Sequence, residues 1–115
     1  MALHNKIGRD GEAFATNYLQ QAGFTILSTN WRFCHKEIDI IARDGQWLVF
    51  VEVKTRSAAC APADVISHAK MEFLSEAAQA YIDQTNFQGE ARIDVLLLTL
   101  SNGAYSVDHI RDAFR

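Results

Sequence analysis

The sequence is short of proline, cysteine and long apolar runs. Its 115 residues include one Pro and two Cys, and no stretch has the roughly 20 consecutive apolar residues of a membrane-spanning helix. The N-terminal MALHNKIGRDGE contains no apolar core of the signal-peptide kind. We therefore expect no membrane partner and a cytoplasmic location. In that compartment Cys34 and Cys60, which lack metal-ligand spacing, are interpreted as free thiols.

Repeats, linkers and low-complexity tracts are also missing, and the composition is that of an ordinary globular domain. Hydrophobic residues make up 49% of the chain and charged residues 22%. A chain of this length buries roughly two-thirds of its unfolded surface. We therefore predict a single domain over residues 1–115 with one ordinary core.

An overall excess of basic residues is missing too, although the charge is unevenly distributed. The formal net charge is −3. Residues 1–70 hold eight Lys or Arg against seven Asp or Glu, a balance of +1, whereas residues 71–115 hold three against seven, a balance of −4. If bound cations neutralise some acids of the first part, its basic residues remain to meet phosphate groups. The charge therefore permits a nucleic-acid partner without requiring one.

The apolar periodicity and the turn residues predict helices and strands in a definite order. Gly23 ends the first helix, Pro62 suits the first turn of the second, and Asp44-Gly45 and Asn102-Gly103 are hairpin turns. The predicted elements are a helix over 9–22, strands over 24–33, 37–43 and 46–56, a helix over 62–83, strands over 91–100 and 104–107, and a weak C-terminal helix. This αβββαββα order predicts an α/β fold with a mixed central sheet flanked by helices.

The first hairpin carries charged residues in the most apolar part of the chain, EIDIIARDGQWLVFVEVKTR. If Asp44-Gly45 is the two-residue loop, Glu37 lies opposite Glu52 and Asp39 lies opposite Phe50. Because side chains alternate along a strand, one face of this hairpin carries four charged residues around one aromatic residue. That set is Glu37, Asp39, Phe50, Glu52 and Lys54.

Asp39 and Glu52 are diagonal neighbours in this register, about 7–8 Å apart at the backbone. Carboxylates that crowd together repel one another, and partial burial raises that cost. A divalent cation removes the conflict, and Lys54 reduces it. The pattern therefore indicates a site for a hard metal ion. The alternative is a solvated sheet face with cross-strand ion pairs.

Two further charged residues lie on otherwise apolar helix stripes. Glu12 shares the stripe of Ala15 and Leu19 on the first helix, and Lys70 shares that of Leu74 on the second. Glu12 either adds an acid to the site or interacts with the helix dipole from the first turn. Lys70 either reaches the site or extends its ammonium group into solvent from the edge of the core.

Glu52 and Lys54 form a Glu-x-Lys ending of an apolar strand, and Asp39 precedes them on the neighbouring strand. Magnesium-dependent phosphodiester hydrolysis needs this set. Two acids hold the metal, and a lysine positions the nucleophile or stabilises the added negative charge. The bare spacing is a weak signal, which Asp39 and the hairpin geometry strengthen.

Several segments together resemble the YraN-like family of small bacterial proteins, which are predicted endonucleases. The resemblance spans essentially the whole chain, and VFVEVKTR is its most specific part. That family is similar to archaeal Holliday-junction resolvases within the PD-(D/E)xK nuclease superfamily. The segments are GRDGEAFATNYLQQAGF, STNWR, EIDIIARDGQWLVFVEVKTR and RIDVLLL.

The resemblance implies a restriction-endonuclease-like core and an endonuclease that hydrolyses DNA with Mg²⁺ or Mn²⁺. Matched by position, Asp39, Glu52 and Glu12 would bind the metal, and Lys54 would act in catalysis with the two strand acids. The likeness to resolvases implies branched or structured DNA, which a homodimer would cut symmetrically. Second candidates for the site are Glu37 and Lys70, and the candidates for nucleic-acid binding are Arg9, Lys36 and Arg56.

Two other functions stay open. A non-catalytic module could bind nucleic acid on the same fold, and a partner-binding protein could use the acidic second half as its contact surface. Arg92 and Asp94 also match the family, and we interpret them as structural because Asp94 begins a buried strand.

Overall fold

The computed structural model describes residues 2–57 and 67–113, with side chains over 10–56 and 67–113. The helices are α1, Ala2–Gln21, and α2, His68–Thr85. The strands are β1, Thr25–Phe33; β2, Lys36–Asp44; β3, Trp47–Ser57; β4, Ala91–Ser101; and β5, Ala104–Ile110. Neither helix of this described part is long and apolar enough to cross a bilayer.

The five strands form one mixed sheet in the order β1-β2-β3-β4-β5. Neighbouring strands are antiparallel except for β3 and β4, which are parallel. A parallel pair needs a crossover connection, and α2 lies in the connection between these two strands. The fold is therefore α/β, as predicted, and its element order is consistent with a restriction-endonuclease-like core.

The sheet separates two layers of apolar side chains. One cluster lies beneath α1 and includes Leu19, Ile40 and Val51. The other lies beneath α2 and includes Ile38 and Phe50. Since both faces of the sheet are covered, its middle strands are apolar on both sides, which accounts for the continuous apolar run in β4.

α1 begins at Ala2 instead of residue 9, because the preceding segment contains good helix formers such as Ala and Leu. Its end agrees with the prediction. Gly23 is left-handed, with φ 98°, and its N–H donates to the carbonyl of Gln20. The N–H of Phe24 donates to the carbonyl of Leu19, so the carbonyl groups of Leu19 and Gln20 in the last turn of the helix are satisfied.

α2 begins at His68, where the Oγ of Ser67 accepts a hydrogen bond of 3.2 Å from the Lys70 N–H. The left-handed Asn86 ends it. Pro62, the predicted first turn of this helix, lies outside the described residues, as does Cys60. Cys34 is a free, exposed thiol, as expected.

The loop between β2 and β3 consists of Gly45 and Gln46, because Asp44 pairs with Trp47. Gly45 has a φ of 63° and Gln46 has no positive φ, which is the type II′ pattern. An Asp44-Gly45 loop would be of type I′ and would need two left-handed residues. The predicted register is therefore wrong by two residues.

This shift changes every predicted pair of the hairpin. Phe50 lies opposite Ile41 and not opposite Asp39. Glu37 does not pair with Glu52, since the β2–β3 ladder ends before Glu37. A shift by two residues leaves the alternation of β3 intact, so Glu52 stays on the side of Phe50.

β5 extends into the segment that was predicted to be a helix. It continues to Ile110, and residues 111–113 form a turn and its end. Burial alternates along the strand, with Tyr105, Val107 and His109 less exposed than their neighbours. That period of two is typical of a strand. The predicted C-terminal helix is wrong over the described residues, and residues 114–115 lie outside them.

Candidate metal and catalytic site

β2 is irregular at Asp39. Ile38 packs beneath α2 whereas Ile40 packs beneath α1, although residues two apart in a regular strand share a face. The β1–β2 pairing skips the same point, where Asn30 would lie opposite Asp39. The β2–β3 ladder also ends here, at the pair Ile40–Val51. The regular alternation of side chains between the two faces of the sheet is therefore interrupted in β2 at Asp39.

Asp39 and Glu52 lie together where the ladder ends. The Val53 N–H donates to Oδ2 of Asp39 at 2.8 Å, so this carboxylate takes the place of a ladder acceptor. Continuing the observed register by one pair beyond Ile40–Val51 places Asp39 directly opposite Glu52, and not diagonal to it as predicted. The two carboxyl groups form a hydrogen bond. The structure thus brings two predicted site residues into contact.

Glu52 is a buried acid with two partners. It is 6% exposed, and Nζ of Lys70 lies 3.2 Å from its Oε2. Burial, followed by the hydrogen bond and the charge of Asp39, raises the pKa of Glu52 from 4.5 to about 8, although Lys70 acts in the opposite direction. Burial and Asp39 therefore favour the protonated form of Glu52.

α1 brings Glu12 to the sheet at a point of close approach. A Cβ on Gly11 would lie 2.8 Å from Oγ1 of Thr55, so a side chain larger than hydrogen would require the threonine to rotate or the helix and β3 to move apart. Burial, then the charges of Asp39 and Glu37, raises the pKa of Glu12. Because α1 begins well before Glu12, this acid is not in the first turn, and a helix-dipole role does not explain it.

Asn30 joins Glu12 to Glu37. With its amide nitrogen directed at the two acids, Nδ2 donates to Oε1 of Glu12 at 2.8 Å and to Oε1 of Glu37 at 3.0 Å. Glu37 therefore lies with Glu12. The predicted hairpin face had placed Glu37 beside Glu52 instead. The cause is the change of face at Asp39.

Sequence reasoning missed Asn30, although a signal was present. Asn is depleted in strands and enriched among residues with positive φ, and here it interrupts the strand-like run TILSTNWRF. Its φ is 53°. An Asn inside a predicted strand, one residue before the Trp31 of the STNWR segment, was therefore a candidate for a local distortion.

The two candidate lysines, Lys54 and Lys70, differ in their position relative to Glu52. Lys54 follows Glu52 by two residues on β3, is exposed, and forms no ion pair with any other residue whose side chain is described. Lys70 lies in the first turn of α2 and contacts Glu52 directly. The structure therefore places the second candidate, Lys70, against the buried acid and leaves the ammonium group of Lys54 at the surface.

Two of the three predicted nucleic-acid-binding residues have protein partners in the structure. Nζ of Lys36 lies 3.2 Å from Oε2 of Glu76 and 5.5 Å from the ring centroid of Phe73. Nε of Arg56 donates to Oγ1 of Thr99 at 3.3 Å. Arg9 belongs to α1, and its side chain lies outside the described part. Lys36 and Arg56 are thus already engaged with protein groups.

Asp94 lies at the centre of a separate buried network. Nε of Arg92 donates to its Oδ1 at 2.9 Å, Nε2 of His109 lies 2.8 Å from its Oδ2, and the Asp112 N–H donates to Oδ1 at 3.0 Å. Nη2 of Arg92 also donates to Oδ2 of Asp44 at 2.9 Å. These contacts agree with the structural interpretation of Arg92 and Asp94.

The acids have the chemistry that a hard cation requires. Carboxylate oxygens are the ligands that Mg²⁺ prefers. The pKa values of Glu12 and Glu52 are raised first by burial and then by neighbouring acids, and a bound cation would offset both effects. In the part of the chain with described positions, however, no three His, Cys, Asp or Glu side chains converge in a way that could hold a metal ion. The donor types therefore fit a hard metal ion, and one of the acids, Glu52, also pairs with Lys70 through its Oε2.

The mixed α/β sheet and the order of its elements are consistent with the class of domains that have a restriction-endonuclease-like core. Within that class the particular family is shown by sequence. The profile of the uncharacterised protein family UPF0102 matches residues 11–98, and the chain belongs to that family. The YraN-like resemblance is thereby confirmed.

Relatives from distant bacteria match nearly the whole chain. A UPF0102 protein of Chlorobium chlorochromatii is 41% identical over 117 residues, covering 95% of this chain and 91% of the relative. One from Flavobacterium psychrophilum is 39% identical, covering 99% and 98%. One from Geobacter metallireducens is 40% identical, covering 99% and 97%. Their names state family membership alone.

Proposed function

We propose that this protein is a Mg²⁺- or Mn²⁺-dependent endonuclease that hydrolyses phosphodiester bonds in DNA. The observation that supports it is the pair Asp39–Glu52, two carboxyl groups in hydrogen-bond contact at the end of the β2–β3 ladder. Burying two acids side by side costs free energy, and a bound cation would offset that cost. Glu12 lies within electrostatic reach of Asp39, which makes it the candidate for a third acid.

Each residue has a defined task in this proposal. Asp39, Glu52 and Glu12 would hold the metal, which when bound supplies polarisation of the phosphate and a more acidic water. The Val53 N–H fixes the orientation of Asp39. Lys54, at the surface on the side of Glu52, donates to the attacking water or to the phosphate oxygen on which charge develops.

The substrate class comes from the resemblance to resolvases, which points to branched or structured DNA. Arg9, Lys36 and Arg56 remain the candidates for phosphate contact. For Lys36 and Arg56 this contact requires exchange of their present partners, Glu76 and Thr99. A homodimer would place two such sites for symmetric cleavage of both strands.

A metal-dependent cleavage panel tests the proposal. Linear, flapped, four-way and single-stranded DNA, with RNA counterparts, are incubated with Mg²⁺, Mn²⁺ or EDTA. We expect cleavage by the wild type with metal only, and a loss of roughly two orders of magnitude or more in Asp39→Asn. Asn keeps an oxygen that can accept the Val53 N–H, so the backbone contact can persist. Asp108→Asn, an exposed acid of β5, is the matched control.

The proposal fails if the wild type cleaves no substrate with either metal, or if Asp39→Asn cleaves at the wild-type rate. One contact favours a second candidate, a non-catalytic nucleic-acid-binding domain. In it Lys70 would neutralise Glu52 permanently, and no divalent ion would be needed. Nucleic-acid binding that is indifferent to EDTA, with no divalent binding detected by calorimetry, would support this second candidate.

A further inference from the structure

Asn30 contacts acids from two elements at once. Glu12 comes from α1 and Glu37 from β2. With the Asn30 amide assigned in the orientation that satisfies its neighbours, its nitrogen donates to Oε1 of both acids, at 2.8 and 3.0 Å. An amide NH₂ has two hydrogens, so it can satisfy both acids simultaneously. Of the acids in the described site, Glu12 is the one that reaches it from outside the sheet, and Asn30 is the sheet residue that it contacts.

The backbone of Asn30 explains why this residue type is present. Its φ of 53° lies in the left-handed region, which Asn adopts more readily than most residues. The distortion falls opposite Asp39, where both β1 and β2 leave their regular pairing. The side chain of a regular strand residue at this position would follow the alternation of β1. The left-handed turn instead directs the amide at the two acids.

We propose that Asn30 is a positioning residue that holds the Glu12 carboxylate at the metal site, with Glu37 as its anchor on the sheet. This inference rests on the proposed function, since it assumes that Glu12 is a metal ligand. It assigns Glu37 a defined role as the second acceptor of the amide, and no contact with the metal. Groups that orient a ligand typically change metal affinity by 10- to 100-fold when they are removed.

Calorimetric titration with Mn²⁺ or Mg²⁺ alone, without nucleic acid, tests the inference. Asn30→Gly removes the amide and keeps a backbone that tolerates positive φ. Asn102→Gly is the matched control, because Asn102 is also left-handed, with φ 52°, and lies exposed in the β4–β5 turn. We expect Asn30→Gly and Glu12→Gln each to weaken metal binding about tenfold or more, and Asn102→Gly to leave it unchanged.

The double variant separates positioning from a general structural effect. If Asn30 acts through Glu12, then Asn30→Gly combined with Glu12→Gln binds metal as Glu12→Gln alone does, within about twofold. Melting scans in EDTA verify that each variant is folded. Should Asn30→Gly not fold, Asn30→Asp keeps the side-chain shape and lacks the donors. Glu12→Gln should then weaken binding in the wild-type background and not in the Asn30→Asp background.

Unchanged metal affinity in Asn30→Gly, or additive losses in the double variant, would overturn this inference. The proposed function would still stand in that case, provided that the wild type binds the metal. If Glu12→Gln alone has no effect, the inference is likewise overturned. Absence of divalent binding by the wild type would overturn both, and the wild-type titration identifies that case before any variant is made.

Discussion

At the scale of single residues, the burial of Glu52 beside Asp39 makes stability depend on pH. The folded-state pKa of Glu52 is raised from 4.5 to about 8, first by burial and then by Asp39. Its favourable contribution is therefore fully present below pH 4.5 and is lost as the pH rises through about 8. In EDTA we expect the free energy of unfolding to fall across that window, by at most about 1.4 kcal/mol per pH unit. Denaturant unfolding at a series of pH values measures it.

Two variants check the assignment to Glu52. Glu52→Gln cannot ionise, so its stability should change less across the same window. Lys70→Met removes the cation that lowers the pKa of Glu52, so the loss of stability should end at a higher pH than in the wild type. Parallel stability curves for wild type and Glu52→Gln would show that another group causes the dependence.

Lys54 should separate catalysis from metal binding. A lysine is a cation with donors only and cannot coordinate Mg²⁺, so its contribution must arise in the transition state. We expect Lys54→Met to lower the cleavage rate by roughly two orders of magnitude or more, and to keep metal affinity within a few-fold. Single-turnover cleavage and calorimetry measure the two effects. Met preserves the apolar stem, and a wild-type rate in this variant would make Lys54 an ordinary surface residue.

At the scale of elements, the approach of α1 to β3 depends on Gly11. A Cβ there would lie 2.8 Å from Oγ1 of Thr55, so Gly11→Ala must move the helix or rotate the threonine. Ala is the better helix former by about 1 kcal/mol, yet we expect the variant to be less stable, by about 1–3 kcal/mol, because of this overlap. Thermal and denaturant unfolding measure the change.

The matched control for this contact removes the obstructing atom. In Gly11→Ala with Thr55→Ala, the Oγ1 atom is gone and the remaining neighbour, Leu98, is at an ordinary 3.6 Å. We expect Gly11→Ala to cost less unfolding free energy when Thr55 is already replaced by Ala than when Thr55 is present. The single variant Thr55→Ala is the reference for the double variant. Strict additivity would mean that the helix and β3 are not in the predicted conflict.

More of the secondary structure than of the candidate site could be predicted from the sequence. The alternation of β3 and the Gly23 stop depend on local chemistry, so they could be predicted. The hairpin register could not be predicted, because Gly45 can be either the first or the second residue of a two-residue loop. The pairing of Asp44 with Trp47 makes it the first. The C-terminal helix was predicted where β5 continues, since pairing with β4 outweighs a weak local helix preference.

Within the site, residue types were predictable and their grouping was not. Asp39, Glu52 and Lys54 follow from a spacing pattern, but the change of face at Asp39 comes from a distortion shared with a different strand. A period-two argument assumes a regular strand, so it placed Glu37 beside Glu52. The contact between Lys70 and Glu52 joins β3 to the following helix, α2. The local sequence pattern of either element holds no information on such a contact.

At the scale of the whole molecule, the Asp94 network connects the β2–β3 hairpin end to β4 and β5 through Asp44, Arg92 and His109. Asp94 is fully buried, and Arg92 is 10% exposed. Asp94→Asn should destabilise the protein by about 3–5 kcal/mol at neutral pH, because it removes the buried charge that pairs with Arg92 and leaves Asp44 as the remaining carboxylate partner of that guanidinium. Denaturant unfolding measures the loss, with Asp108→Asn as the exposed control.

The same network should set the acid limit of the fold. Burial alone would raise the pKa of Asp94, but hydrogen bonds from His109, Arg92 and the Asp112 N–H lower it below 3.8. The contribution of ionised Asp94 is therefore fully present above its ordinary pKa of 3.8 and is lost as the pH falls through the lowered value. We expect the wild type to lose stability there and Asp94→Asn to show a smaller acid dependence.

Metal binding should stabilise the whole fold. A ligand that binds only the folded state adds about 2.7 kcal/mol at a hundredfold excess over its Kd. We expect the melting temperature of the wild type to rise with Mg²⁺ and that of Asp39→Asn to stay nearly constant. Melting scans in Mg²⁺ and in EDTA measure the difference, and equal shifts in the two proteins would place the binding elsewhere.

The distortion of β1 also protects one border of the sheet from joining other chains. β1 is an edge strand, and a straight edge with unused N–H and C=O groups is a template for intermolecular strand addition. β1 has a register shift between Ile26 and Ser28 and a left-handed residue at Asn30. Its outer border is therefore broken into short pieces, which disfavours fibril growth. The left-handed residue that directs an amide at two acids therefore also interrupts the edge along which strand addition would occur.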